Sequence, residues 1–295
     1  MLAFSNSLSL SRMKKKTQLL FSLTLICLIG CANSGNNNEK KTTTVPTINW
    51  KTIDSGLFLA EIDATAKSDY GDSKFTVLKI DPAHYNFTLV SAKQPGEGVA
   101  TAEAWAKKKN LIATFNTSMY RMDFQTSVGF MKHYDFVNNG ELNADNTIAA
   151  FNRKDESVPE VQIIDRTCQN WEELKTKYNS FSQSIRMVDC HQNNKWQVDE
   201  KRWSMIVMCM TKDGKVLFAF TRSPYTVHNF IKMLLKLPLN IHNMMYLEGG
   251  PEASMYVNHK GVEVKKFGSY ETGFNENDDN NEFWQIPNMI GISKK

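Results

Sequence analysis

Ser204-Met205-Ile206-Val207-Met208-Cys209-Met210, followed by Asp213-Gly214 and Lys215-Val216-Leu217-Phe218-Ala219-Phe220-Thr221, is the stretch that decides the fold. Asp-Gly is a preferred sequence of tight β-turns, because such turns need backbone angles that glycine supplies without steric cost. The flanking runs are apolar almost without interruption, so the paired arms must be covered on both faces and lie inside a sheet. Arg222-Ser223-Pro224-Tyr225-Thr226 comes next. Val227, Phe230, Ile231 and Leu234 then recur at helical spacing until Pro238 stops the helix.

Working outward, residues 56–62, 75–80 and 87–90 read as strands, and Asp81-Pro82 breaks the chain between the last two. Residues 101–109 are alanine-rich and helical in pattern, and 111–115 form an apolar strand that ends at Asn116. Asn170 with Glu173 predicts a helix start whose face carries Trp171, Leu174 and Tyr178. Residues 244–247 read as a short buried strand, closed by Gly249, Gly250 and Pro251. Strands mixed with a few helices predict an α+β fold: mixed, largely antiparallel twisted sheets with flanking helices, in a single domain.

The N-terminus reads as an export signal. Lys14, Lys15 and Lys16 precede an apolar core over 19–29 that is too short to span a bilayer. Leu28-Ile29-Gly30-Cys31 resembles the lipobox of bacterial lipoproteins, which implies cleavage before Cys31 and lipidation of its thiol. Residues 1–30 are then signal peptide, 31–45 a polar tether, and 46–295 the domain. The expected location is the bacterial cell envelope, facing the periplasm or on the outer-membrane surface. Cleavage removes four of the 35 basic residues and none of the 31 acidic ones, so the mature chain is charge-balanced. That balance argues against nucleic acid as a partner. Of the remaining cysteines, Cys209 reads as a core thiol, and Cys168 with Cys190 is the favoured pair if a disulfide forms.

Two segments carry chemistry. Glu248 is a carboxylate on a strand end beside two glycines that let a ligand approach the main chain. Arg222 precedes a helix start, whose free N–H groups and positive dipole suit a phosphate. The alternative is that Thr226 or Ser223 caps the helix while Arg222 pairs with a surface acid. His228 lies in the first turn of that helix. Asn116, Gln183 and Ser184 are polar groups near strand or helix ends, and no histidine or acid near Ser184 in sequence marks it as a nucleophile. The acidic, Asn-rich tract 275–282 reads as a solvated loop rather than a calcium site. The sequence lacks the clustered His and Asp ligands of a two-metal phosphodiesterase, so neither metal nor cofactor is expected.

Phe115-Asn116, Val128-Gly129, Gln183-Ser184, Arg202, the hairpin to Arg222, and Leu247-Glu248-Gly249-Gly250 with Ser254 stand in the order seen in the phosphodiester glycosidase domain, which the chain resembles over 53–292. The family usually has Asn-Gly where this chain has Asn116-Thr117, Gln-Ser-Gly-Pro where it has Gln183-Ser184-Ile185-Arg186, and Asp at the position of Glu248. The resemblance implies hydrolysis of a sugar 1-phosphodiester in a phosphorylated carbohydrate, with the sugar C–O bond breaking. Glu248 would stabilise the oxocarbenium-like centre or activate water, and Arg222 with Arg202 would hold the departing phosphate. Asn116, Gln183, Ser184, His228, Gly249, Gly250 and Ser254 would form the substrate site, and Arg186 could add to an anion pocket. A surface lipoprotein that binds phosphorylated glycans without cleaving them is the competing expectation.

Overall fold

The computed structural model describes residues 47–295, so the expected signal peptide, Cys31 and the tether lie outside the described residues. Three sheets make up the structure, and their strand pairs are antiparallel. The largest has seven strands in the order Lys51–Asp54, Leu57–Asp63, Lys74–Ile80, Val216–Tyr225, Trp203–Thr211, Ile241–Gly249, Arg186–Val188. A second runs Val262–Phe267, Ser254–His259, Ala113–Asn116, Asn288–Lys294, Tyr85–Ser91. The third runs Phe136–Asn139, Met131–His133, Tyr178–Ser184, Thr147–Arg153, Val161–Asp165.

The expected hairpin is central, with Met205 opposite Thr221 and Met210 opposite Val216. Its turn is wider than Asp-Gly alone: Gly214 N–H donates to the Thr211 carbonyl, and Gly214 sits at φ +79°. Side chains alternate between two buried environments, as the unbroken apolar runs require. Ile206, Met208, Phe218 and Phe220 face a core shared by all three sheets, where Phe115 stacks on Phe218 with ring centroids 3.7 Å apart. Val207, Cys209, Leu217 and Ala219 pack instead against Val227, Phe230, Ile231 and Leu234 of helix Val227–Lys236.

The fold is richer in strand than α+β suggests. Among the described residues the α-helices are Ala102–Lys108, Trp171–Leu174 and Val227–Lys236. Asn170 does cap its helix, yet that helix is one turn long, and Tyr178 opens a strand instead of extending the helical face. Strand Tyr178–Ser184 escapes a hydropathy reading because Ser180, Ser182 and Gln183 are buried polar residues held by hydrogen bonds.

Cys168 and Cys190 form a disulfide, and Cys209 is a buried free thiol. Beside the disulfide, Arg186 does not serve an anion pocket. Its guanidinium donates to both carboxyl oxygens of the fully buried Asp165, at 2.9 and 3.2 Å, and Asp165 also accepts from the N–H groups of Thr167 and Cys190. Removing one partner of such a pair strands a buried charge. Arg186→Ala should therefore cost about 3 kcal/mol, measured by urea denaturation, whereas a surface variant such as Lys154→Ala should leave the midpoint unchanged.

Candidate active site

Strand Ile241–Gly249 belongs to the seven-stranded sheet, and strand Ser254–His259 to the sheet that holds Asn116. The link between them is the 3-10 turn Gly250–Glu252, so the Leu-Glu-Gly-Gly-Pro stretch forms the corner where one sheet passes into the other. Asn116 fixes this corner. Its side-chain N–H donates to the Glu252 carbonyl at 3.0 Å and its side-chain oxygen accepts from Ser254 N–H at 2.6 Å. The Ser254 hydroxyl donates to the same Glu252 carbonyl.

Both glycines are required by close packing. A β-carbon on Gly249 would collide with the Tyr246 hydroxyl and the Trp203 ring. Gly250 sits at φ +61°, and a β-carbon there would collide with a carboxyl oxygen of Glu271. Glu271 arrives from far along the chain, held by an isolated β-bridge to Trp203.

Glu248, Glu252 and Glu271 thereby line one cavity of about 340 Å³, closed on the other side by Met119, Tyr120, Arg121, Met122 and Phe124. Among the described residues none of the three carboxyls is in an ion pair. Burial and the neighbouring Glu252 hold the Glu248 carboxyl well above the usual carboxylate range, against one N–H bond from Gly249 at 3.2 Å. Burial, then the charge of Glu271, pushes Glu252 up to about 7. Burial raises Glu271 as well, partly offset by Lys201. The half-buried Tyr120 and buried Tyr246 phenols are pushed up by burial and by these acids. A site with carboxyl groups split between protonated and ionised forms near neutral pH can both donate and accept a proton.

Only some of the expected site residues meet here. Glu248, Gly249 and Gly250 form the cavity corner, while Asn116 and Ser254 support it from behind. Arg222 is placed elsewhere. It lies within strand Val216–Tyr225 and not at the helix start, which Thr226 caps. Its Nε donates to Asp278 at 2.6 Å, and its other nitrogens donate to the carbonyls of Phe267, Asp278 and Asn280. Arg222 thus lines a separate, smaller cavity, and the tract 275–282 is its anchor rather than a free loop. Arg202 pairs with Asp69 and faces another cavity. His228 lies in neither cavity wall, with its ring bonded to the Trp196 carbonyl. Gln183 is fully buried and its amide bonds only main-chain groups of Phe130, Asn143 and Asp145. Ser184 is buried too, and its hydroxyl has no partner among the described residues.

Glu252, Glu271, Tyr120 and Arg121 were not anticipated. Glu252 stands four residues past Glu248 and could have been suspected, since a turn as tight as Gly-Gly-Pro returns the chain towards its start.

The family model described as phosphodiester glycosidase matches residues 109–293, and the chain belongs to that family. Comparison with curated proteins finds no match. Among solved structures, the chain is similar to a hypothetical protein from Synechocystis, at TM-score 0.58 and 11% identity over 85% of this chain. It spans 64% of the length of that protein. It is also similar to the zebrafish N-acetylglucosamine-1-phosphodiester alpha-N-acetylglucosaminidase catalytic domain auto-inhibited by its pro-peptide, at TM-score 0.56 and 13% identity over 86% of each chain. At these identities the structures share the fold.

Two outcomes follow from this geometry. Gly250→Ala should cost at least about 1 kcal/mol and displace Glu271, seen as a lowered melting temperature. Glu252 is raised from 4.5 to about 7, so between these values the folded state binds more protons than the unfolded one. Stability should therefore fall as pH rises from 4.5 through 7. Allowing for partial exposure, the Glu252 contribution to the loss is on the order of 2 kcal/mol, and Glu252→Gln should reduce the loss by that amount in a pH series of denaturation curves, leaving the part due to Glu248 and Glu271.

Proposed function

We propose that the cavity hydrolyses the glycosidic C–O bond of a sugar 1-phosphodiester. The observation that carries this reading is the carboxyl cluster at the sheet corner of a phosphodiester glycosidase family member, with Glu248 buried, Glu252 and Glu271 half-buried, and none of them in an ion pair among the described residues. Water attacks the anomeric carbon and gives its proton to Glu252, which ionises near neutrality. The bond from that carbon to the phosphate oxygen breaks, and the phosphate monoester leaves with the electron pair. Glu248, held protonated by its burial, hydrogen-bonds the departing oxygen. Arg121 takes the phosphate role first expected of Arg222: it lines the cavity, and its one ion pair, with Glu141, is 3.5 Å long and exposed. Largely protonated carboxyls lessen the repulsion that three ionised acids would exert on a phosphodiester anion.

In this reading the reaction needs no metal, the substrate is a phosphorylated glycan or glycoconjugate, and Cys31 anchors the enzyme by a lipid to the cell envelope.

The experiment uses a panel of methyl diesters of sugar 1-phosphates, including N-acetylglucosamine, glucose, galactose and mannose, in ¹⁸O-labelled water with and without EDTA. Label should appear in the free sugar, EDTA should leave the rate unchanged, and Glu248→Gln and Glu252→Gln should each lower kcat by at least about 10²-fold. The wild-type rate should rise with pH through about 7, and Glu252→Gln should lose that limb. Label in the phosphate would make the protein a phosphodiesterase, and binding without release would make it a glycan-binding protein.

A further inference from the structure

We propose that the rim of this cavity selects phosphodiesters whose aglycone is a hydrocarbon chain. The inference rests on the reaction proposed above and adds the class of substrate. The cavity is graded from inside to outside. Glu248 is 9% exposed, Arg121 stands further out, and Met122 and Phe124 are 96% and 57% exposed. A sugar 1-phosphodiester must enter in a fixed order: anomeric carbon against the carboxyls, phosphate against Arg121, aglycone beyond. Met122 and Phe124 therefore meet the aglycone and not the sugar being released.

Neither side chain offers the hydroxyls of a second sugar a strong hydrogen-bond partner. Both gain by being taken out of water against hydrocarbon. Their exposure is not looseness. The Arg121 N–H donates to the Thr126 carbonyl at 2.7 Å, and Phe124 N–H donates to the Arg121 carbonyl. Asp123 accepts from Gln125 N–H, Thr126 N–H and the Thr126 hydroxyl, at 3.0, 2.8 and 2.6 Å. Within this tied turn Phe124 sits at φ +54°, a conformation that bulky side chains rarely adopt. A turn that holds a phenyl ring in water at a backbone cost, at the mouth of an acidic cavity, fits a site where that ring is covered by ligand.

The test compares methyl and hexyl diesters of the same sugar 1-phosphate, and separately the binding of methyl and hexyl phosphate by calorimetry. Enclosing two or three methylenes at the rim predicts a preference of at least about tenfold for hexyl in kcat/KM. The double variant Met122→Ser/Phe124→Ser should bring the ratio close to one, and Met122→Leu/Phe124→Leu should restore it. Cleavage of both diesters at equal efficiency by wild type overturns this inference and leaves the glycosidase reading standing. If neither diester is cleaved, the glycosidase reading fails and the binding arm decides. Tighter hexyl phosphate binding in wild type, lost in the serine variant, supports the apolar rim; equal or absent binding overturns it.

Discussion

The side-chain amide of Asn116 holds the corner on which the site depends. It reaches from the end of one strand and satisfies both the Glu252 carbonyl and the Ser254 N–H. Without it the buried Ser254 N–H would lose its partner, at roughly 1–3 kcal/mol, and the Glu252 carbonyl would keep only the Ser254 hydroxyl. With them satisfied, the chain can turn tightly enough to carry Glu248 and Glu252 on either side of two glycines. Gly249 and Gly250 leave no side-chain volume in the way, and Trp203 and Glu271 fill the space so released. Main-chain hydrogen bonding, packing and the carboxyl cluster are therefore one arrangement. Asn116 acts as a positioning residue, although the sequence suggested a group that touches sugar.

The hairpin was legible because its signal is local and its burial nearly complete. Unbroken apolar runs, Met205 to Met210 and Val216 to Phe220, on the two sides of Asp213-Gly214 have few other solutions, and helix Val227–Lys236 shows its buried stripe directly. The Cys168–Cys190 pairing, left open in the sequence, also formed. Strands such as Thr147–Arg153 and Tyr178–Ser184 were hidden because small and polar residues fill them. Their burial comes from neighbouring strands, which no local window contains.

The site was half legible for the same reason. Glu248 is marked by its own glycines, whereas Glu271 is brought to the cavity by a bridge to Trp203, 68 positions earlier. Arg222 shows the converse error. Its neighbours in sequence suggested a phosphate cradle, but the Asp278 carboxylate, the Asp278 and Asn280 carbonyls from the tract 275–282, and the Phe267 carbonyl already occupy its guanidinium. A sequence shows which side chains could bind an anion. It does not show which of them the fold has already used.

Glu248 in place of the family's usual aspartate gains meaning from its surroundings. A glutamate extends about one methylene further from the strand, and here that reach ends in a cavity shared with Glu252 and Glu271. Three ionised carboxylates side by side are disfavoured there, since each charge raises the proton affinity of the others. The cavity therefore keeps protons at neutral pH, and an incoming phosphodiester would strengthen that tendency by adding a negative charge. Substrate binding and protonation of the acid cluster are thus linked in the same direction. A site that binds an anion through protonated acids and one arginine holds it weakly in the ground state. It then gains when the departing phosphate acquires further charge, which is where such a reaction needs stabilisation.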